Sequence, residues 1–94
     1  MTKAFVIHPG DILLTEFMEP LGLTSYRLAK DLHVPLPRIN DVVRGKRSIS
    51  ADTALRLGIY FNMTAQFWMN LQTEYDLRLA KSAELSKVKP RIAA

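Results

Sequence analysis

The chain contains no cysteine, only two histidines and four glycines, and no long hydrophobic run. Without thiols there is no disulfide, no thiolate nucleophile and no thiolate metal site. That absence fits a reducing cytoplasm, the expected location. The amino-terminal stretch MTKAFVIHPGD has one lysine and a short apolar run, too brief for a secretion signal. Nothing approaches the roughly 18 apolar residues of a membrane span, so no membrane partner is expected. His8 and Asp11 stand three apart, but two ligands are too few for a closed metal site. His8 reads instead as a cap for the first helix. No glycine-rich phosphate loop and no nucleophile motif appears either. The expectation is a protein without cofactor, metal or catalytic activity.

What is present is charge, unevenly placed. The chain has 94 residues, is 48% apolar and carries a net charge of +4, values that suit one globular domain. Residues 27–47 hold Arg27, Lys30, Arg38, Arg44, Lys46 and Arg47 against only Asp31 and Asp41. Residues 78–94 hold Arg78, Lys81, Lys87, Lys89 and Arg91 against Glu84. The remainder is net acidic. A basic block attracts phosphate, although most charge clusters are simply solvated faces.

Apart from a short extended arm at residues 4–7, the pattern is helical throughout. Pro9 suits a first helical turn, Ile12, Leu13, Leu14, Phe17, Met18 and Leu21 form an apolar face, and Pro20 with Gly22 ends the helix. Thr24 or Ser25 can cap a second helix with Tyr26, Leu28, Ala29 and Leu32 inward. A third starts near Pro35, buries Ile39, Val42 and Val43, and stops at Gly45. Ser48 or Ser50 caps a fourth, whose buried side is drawn from Ala51, Ala54, Leu55, Leu57, Gly58, Ile59 and Phe61. Thr64 caps a long fifth helix from Ala65 towards Ala83. The expected organisation is one all-α domain over residues 1–85 and a flexible basic tail over 86–94.

Residues 25–44 carry the functional signal. Two short helices joined by a tight turn can cross steeply only where a small residue lies at the crossing, and Ala29 supplies it. Val34 plugs the turn, while Ile39 and Val42 face back. Left outside are Leu36, Pro37, Arg38, Asn40, Asp41 and Arg44, a protruding polar face about the width of a DNA major groove.

Here the sequence resembles the phage-repressor-like (XRE/Cro) helix-turn-helix regulators and, more closely, the HigA-type antitoxins of toxin–antitoxin modules. The resemblance rests on HPGDILL from His8, EPLGLT from Glu19, YRLAK from Tyr26 and RINDVVRGKRSIS from Arg38. ADTALRL from Ala51 and FWMNLQ from Phe67 complete it, so that residues 7–77 are covered. His33 departs from the pattern, standing in the turn where glycine is usual. The resemblance implies a five-helix phage-repressor-like domain with a long C-terminal helix, homodimerisation and autorepression of the module's own operon. It also implies sequestration of a cognate RelE-like, ribosome-dependent mRNA endonuclease.

Each exposed residue of the segment has a role its chemistry suits. Arg38, at the start of the third helix, can donate bidentately to guanine O6 and N7, and Asn40 can pair with adenine. Pro37 can pack on a thymine methyl. Arg44, Lys46 and Arg47 suit phosphates, as do Ser25 and Arg27 at the start of the preceding helix. Asp41 would repel phosphate unless it accepts from cytosine or pairs with a neighbouring arginine. Together these residues address a palindromic double-stranded operator, which a two-fold dimer would match. Phe67, Trp68, Leu71, Tyr75 and Leu79 recur along the fifth helix. Phe67 and Leu71 read first as core, yet Trp68, Met69 and Tyr75 overfill one side, which assigns Trp68, Leu71 and Tyr75 to a dimer interface. Two other readings stay open: an orphan XRE-family transcriptional regulator without a toxin, and a protein-interaction module that keeps the fold without binding DNA.

Overall fold

A computed structural model describes residues 6–91. The expected arm at 4–7 lies partly outside that range, as does the end of the tail. Five helical segments form, and no strand appears among the described residues.

His8 opens the first segment. Its Nδ1 accepts the Gly10 N–H at 2.8 Å, and Pro9 occupies the first turn, where a missing N–H is harmless. This α1 (Pro9–Ile12) does not continue in a regular α register. It widens into π-helical turns over Leu13–Met18 and then tightens into a 3₁₀ turn, Glu19–Leu21. Pro20 has no N–H for the next ladder bond, so an unbroken α-helix cannot run through it. Gly22, at φ 65°, ends the segment.

Three of the four remaining helices start where a hydroxyl caps them. Thr24 Oγ1 accepts the Arg27 N–H ahead of α2 (Ser25–Leu32), and Ser50 Oγ accepts the Thr53 N–H ahead of α4 (Ala51–Phe61). Thr64 does the same for α5 (Ala65–Ala80). Between them, α3 (Leu36–Val43) follows the extended Pro35. A 3₁₀ turn, Ala83–Lys87, follows α5, which is therefore three residues shorter than the periodicity implies.

The core draws Leu28, Ala29 and Leu32 from α2, Ile39 and Val42 from α3, and Ala54 and Leu57 from α4. Its largest member is Trp68, which is 0% exposed, with the Phe17 and Phe67 rings at 4.9 and 5.1 Å. This corrects the expectation for Trp68. The indole lies inside the monomer and takes no part in a surface contact, because Phe17 and Phe61 from other segments close over it. Leu55 and Ile59 also depart from expectation, at 58% and 83% exposed, since α4 turns Thr53, Ala54, Leu57 and Gly58 inward. On α5 the second buried residue is polar: Gln72 Oε1 accepts the Ile49 N–H at 2.7 Å. That bond ties the segment after α3 to the long helix.

Candidate nucleic-acid interface

The turn between α2 and α3 closes on a left-handed residue. His33, at φ 60° and ψ 44°, takes the place where glycine is usual. Its N–H reaches Lys30 O, and the Val34 N–H reaches Ala29 O, so the last carbonyls of α2 are satisfied. Histidine enters this conformation more readily than a β-branched residue does. Ala29, 2% exposed, is the small residue in the packed face of α2, as its position predicted.

The outer side of α3 is polar and accessible. Pro37 is exposed, while Arg38, Asn40 and Asp41 are half-buried. Arg44 is exposed where the helix ends, and Gly45, at φ 76°, turns the chain away. The Gly45 and Lys46 N–H groups bond back to Val42 O and Asp41 O, fixing the start of the basic loop. Lys46 and Arg47 stand exposed in that loop. Asp41, the awkward acid, lies 3.6 Å from Arg47 and is thereby paired as one of its alternatives anticipated. Ser25 and Arg27 open α2, with Arg27 3.7 Å from Asp31.

The far end of α3 is held from outside the helix-turn-helix. Gly10 of α1 sits so close to the Val42 carbonyl that a Cβ there would collide with it. The His8 ring lies beneath Gly45 and meets Tyr75 of α5 edge-on, with centroids 4.8 Å apart. Burial lowers the His8 pKa from its ordinary value, opposed by the Asp11 and Asp76 carboxylates and the Arg47 backbone. The helix and the loop beyond it thus rest on α1 and α5.

Two site residues escaped the sequence reading. Asp52 Oδ2, in the first turn of α4, accepts from Arg38 Nη1 at 2.6 Å and from Arg56 Nε at 2.9 Å. The other end of Arg56 donates to Leu32 O at 2.7 Å. An acid four residues before a base on one helix is a recognisable pair, but nothing in the sequence points it towards Arg38. Among the described residues Lys30, Arg44 and Lys46 are in no ion pair, which leaves three cations of the block uncommitted.

The helix-turn-helix family matches residues 14–68. The chain belongs to the helix-turn-helix family. Within it, the Virulence-associated protein I of Dichelobacter nodosus is 54% identical over 80 residues, covering 85% of this chain and 74% of that protein. The solved structure of the Pseudomonas aeruginosa antitoxin HigA with the higBA promoter is 46% identical, with a TM-score of 0.87. It covers 94% of this chain and all of that one. The antitoxin GraA in complex with its operator is 39% identical with a TM-score of 0.88, covering 100% of this chain and 98% of that one. This helix-turn-helix chain therefore carries the all-α fold that its HPGDILL and RINDVVRGKRSIS motifs implied.

Proposed function

We propose that this helix-turn-helix protein is a sequence-specific DNA-binding antitoxin and autorepressor. It binds the promoter of its own operon through α3 and neutralises a cognate RelE-like mRNA endonuclease in the cytoplasm. It acts by binding, without catalysis of its own. The observation that supports this reading best is the outer side of α3. Arg38 and Asn40 are presented there on a short helix whose two ends are both fixed, and uncommitted cations flank it. Similar chains of the same fold have been solved on promoter and operator DNA. The assigned roles are base contact for Pro37, Arg38 and Asn40, and phosphate contact for Ser25, Arg27, Arg44, Lys46 and Arg47, with Asp41 holding Arg47.

Titration of the protein into a labelled duplex from the DNA just upstream of its reading frame tests this. A scrambled duplex of equal length and the Arg38→Ala, Asn40→Ala double variant run beside it. Selective binding should be about 10³-fold or more over the scrambled duplex, falling linearly with log salt. The double variant should lose about 10²-fold of that ratio, since a good bidentate base contact contributes about 1–3 kcal/mol. Equal binding to both duplexes would overturn the reading. The toxin half is tested by co-purification with the product of the adjacent reading frame; its absence would leave an orphan regulator.

A further inference from the structure

Arg38 does not stand free in the surface that α3 presents. Its Nη1 meets Asp52 Oδ2 at 2.6 Å, and the same oxygen takes Arg56 Nε at 2.9 Å. Arg56 in turn caps the Leu32 carbonyl at the end of α2. One carboxylate on α4 therefore connects the first turn of α3 to the end of α2. We propose that Asp52 is a positioning residue for sequence discrimination, fixing the Arg38 guanidinium so that its remaining edge faces a guanine in the major groove. The proposal rests on α3 being the DNA-reading helix.

The chemistry of the guanidinium carries the argument. Its five N–H donors lie in one plane, and Asp52 engages a single corner. Donors on the other side stay available for a bidentate contact, and the plane is fixed before the DNA arrives. A long arginine side chain without such a brace samples many rotamers, and a flexible cation attracts phosphate as readily as a guanine edge. Asp52 has a second consequence. Its side chain is 54% exposed, so it places a negative charge beside a surface meant for phosphates. An acid there weakens binding to DNA in general. Hydrogen bonds from Arg56 and then Arg38 hold its carboxyl below the ordinary range, so the charge persists. The charge lowers binding to every duplex alike, so discrimination rises only through the ordering of the Arg38 side chain.

Neutralising the acid should therefore move specific and non-specific binding apart. The test compares wild type, Asp52→Asn, Arg38→Ala and the double variant on the upstream duplex and on its scrambled counterpart, at one salt concentration. Asp52→Asn should lower the upstream-to-scrambled ratio about tenfold, part of what a bidentate contact provides. Binding to the scrambled duplex should stay equal or tighten. In the Arg38→Ala background the same substitution should leave the ratio unchanged, because the residue acts through Arg38. A purely structural role would weaken both duplexes together, and that result would overturn the proposal. So would an unchanged ratio, a ratio that rises because Asp52 merely sequesters Arg38, or an equal loss in the Arg38→Ala background. Wild-type protein that does not discriminate would overturn the DNA reading itself, and this inference with it.

Discussion

The helices α3 and α5 use their apolar residues in opposite ways. α3 is eight residues long and buries Ile39 and Val42, keeping its outer side polar apart from Leu36 and Pro37. α5 is sixteen residues long, yet it buries only Trp68 and Gln72, while Leu77 and Leu79 remain 60% and 58% exposed. The short helix is cleanly two-sided, and its chemistry faces solvent. The long helix spreads apolar residues around its circumference, joining a deep aromatic anchor to a surface that offers contact area. Stability should accordingly depend on α5 and DNA discrimination on α3, and substitutions in each should separate the two properties.

The largest effect belongs to Trp68. It is fully buried among Phe17, Phe61 and Phe67, and truncation to alanine leaves a cavity that the neighbouring rings cannot fill. Trp68→Ala should cost about 3–5 kcal/mol, a large share of the 5–15 kcal/mol typical of a domain this size. The thermal midpoint should fall by about 15 °C or more, whereas Asn40→Ala should move it by about 2 °C or less. A drop under about 5 °C for Trp68→Ala would mean that α5 does not anchor the core.

The next effect concerns assembly. With Trp68 withdrawn into the core, the dimer contact we propose falls on Leu71 and Tyr75. They line a groove with Ile7, Ile12, Glu74 and Arg78 that is predominantly apolar. An aromatic residue at the centre of such a patch commonly dominates an interface. Tyr75→Ser should weaken self-association about tenfold or more, read by sedimentation velocity across micromolar concentrations. Wild-type protein that stays monomeric, or a variant that associates unchanged, would remove this face from the assembly.

The same contrast explains what was legible in the sequence. On α3 the inward positions follow one helical stripe, so Ile39, Val42, the outer face and the glycine stop can be read from spacing, although Val43, also expected inside, is only half-buried. The cap at Thr64 is read the same way, because a hydroxyl before an apolar period has one main use, while the structure decides for Thr24 over Ser25 and for Ser50 over Ser48. On α5 the stripe Trp68, Leu71, Gln72 and Tyr75 contains a glutamine, and periodicity cannot assign a polar residue to the core without knowing its partner. That partner is the Ile49 backbone, 23 residues earlier. Trp68 lies inward because Phe17 and Phe61, which come from other segments, cover the indole, and spacing along α5 alone does not show them. Asp52 was missed for a related reason: its pairing with Arg56 is local, but its pairing with Arg38 exists only once α3 and α4 are packed. The π-helical turns of the first segment have no periodic signature at all.

The smallest effect lies where the two regions meet. His8 caps α1 with Nδ1, packs beneath Gly45 at the start of the basic loop, and touches Tyr75 of α5. Accepting the Gly10 N–H requires a lone pair on Nδ1, which protonation removes. Burial pushes the His8 pKa below its ordinary 6.5, outweighing the Asp11 and Asp76 carboxylates and the Arg47 backbone. The unfolded chain then takes up its proton first as the pH falls. The stabilisation is full above about pH 6.5 and is lost as the pH drops towards the lowered folded value. His8→Asn offers an oxygen acceptor to the same N–H but does not titrate. The variant should lose fewer degrees of thermal midpoint than wild type between about pH 7.5 and pH 5, by a few degrees at most. If both proteins lose the same, the cap is not acid-sensitive. Stability in acid would then be set by the carboxylates alone, and Asp52, which braces α3 from its other end, becomes the first of them to examine.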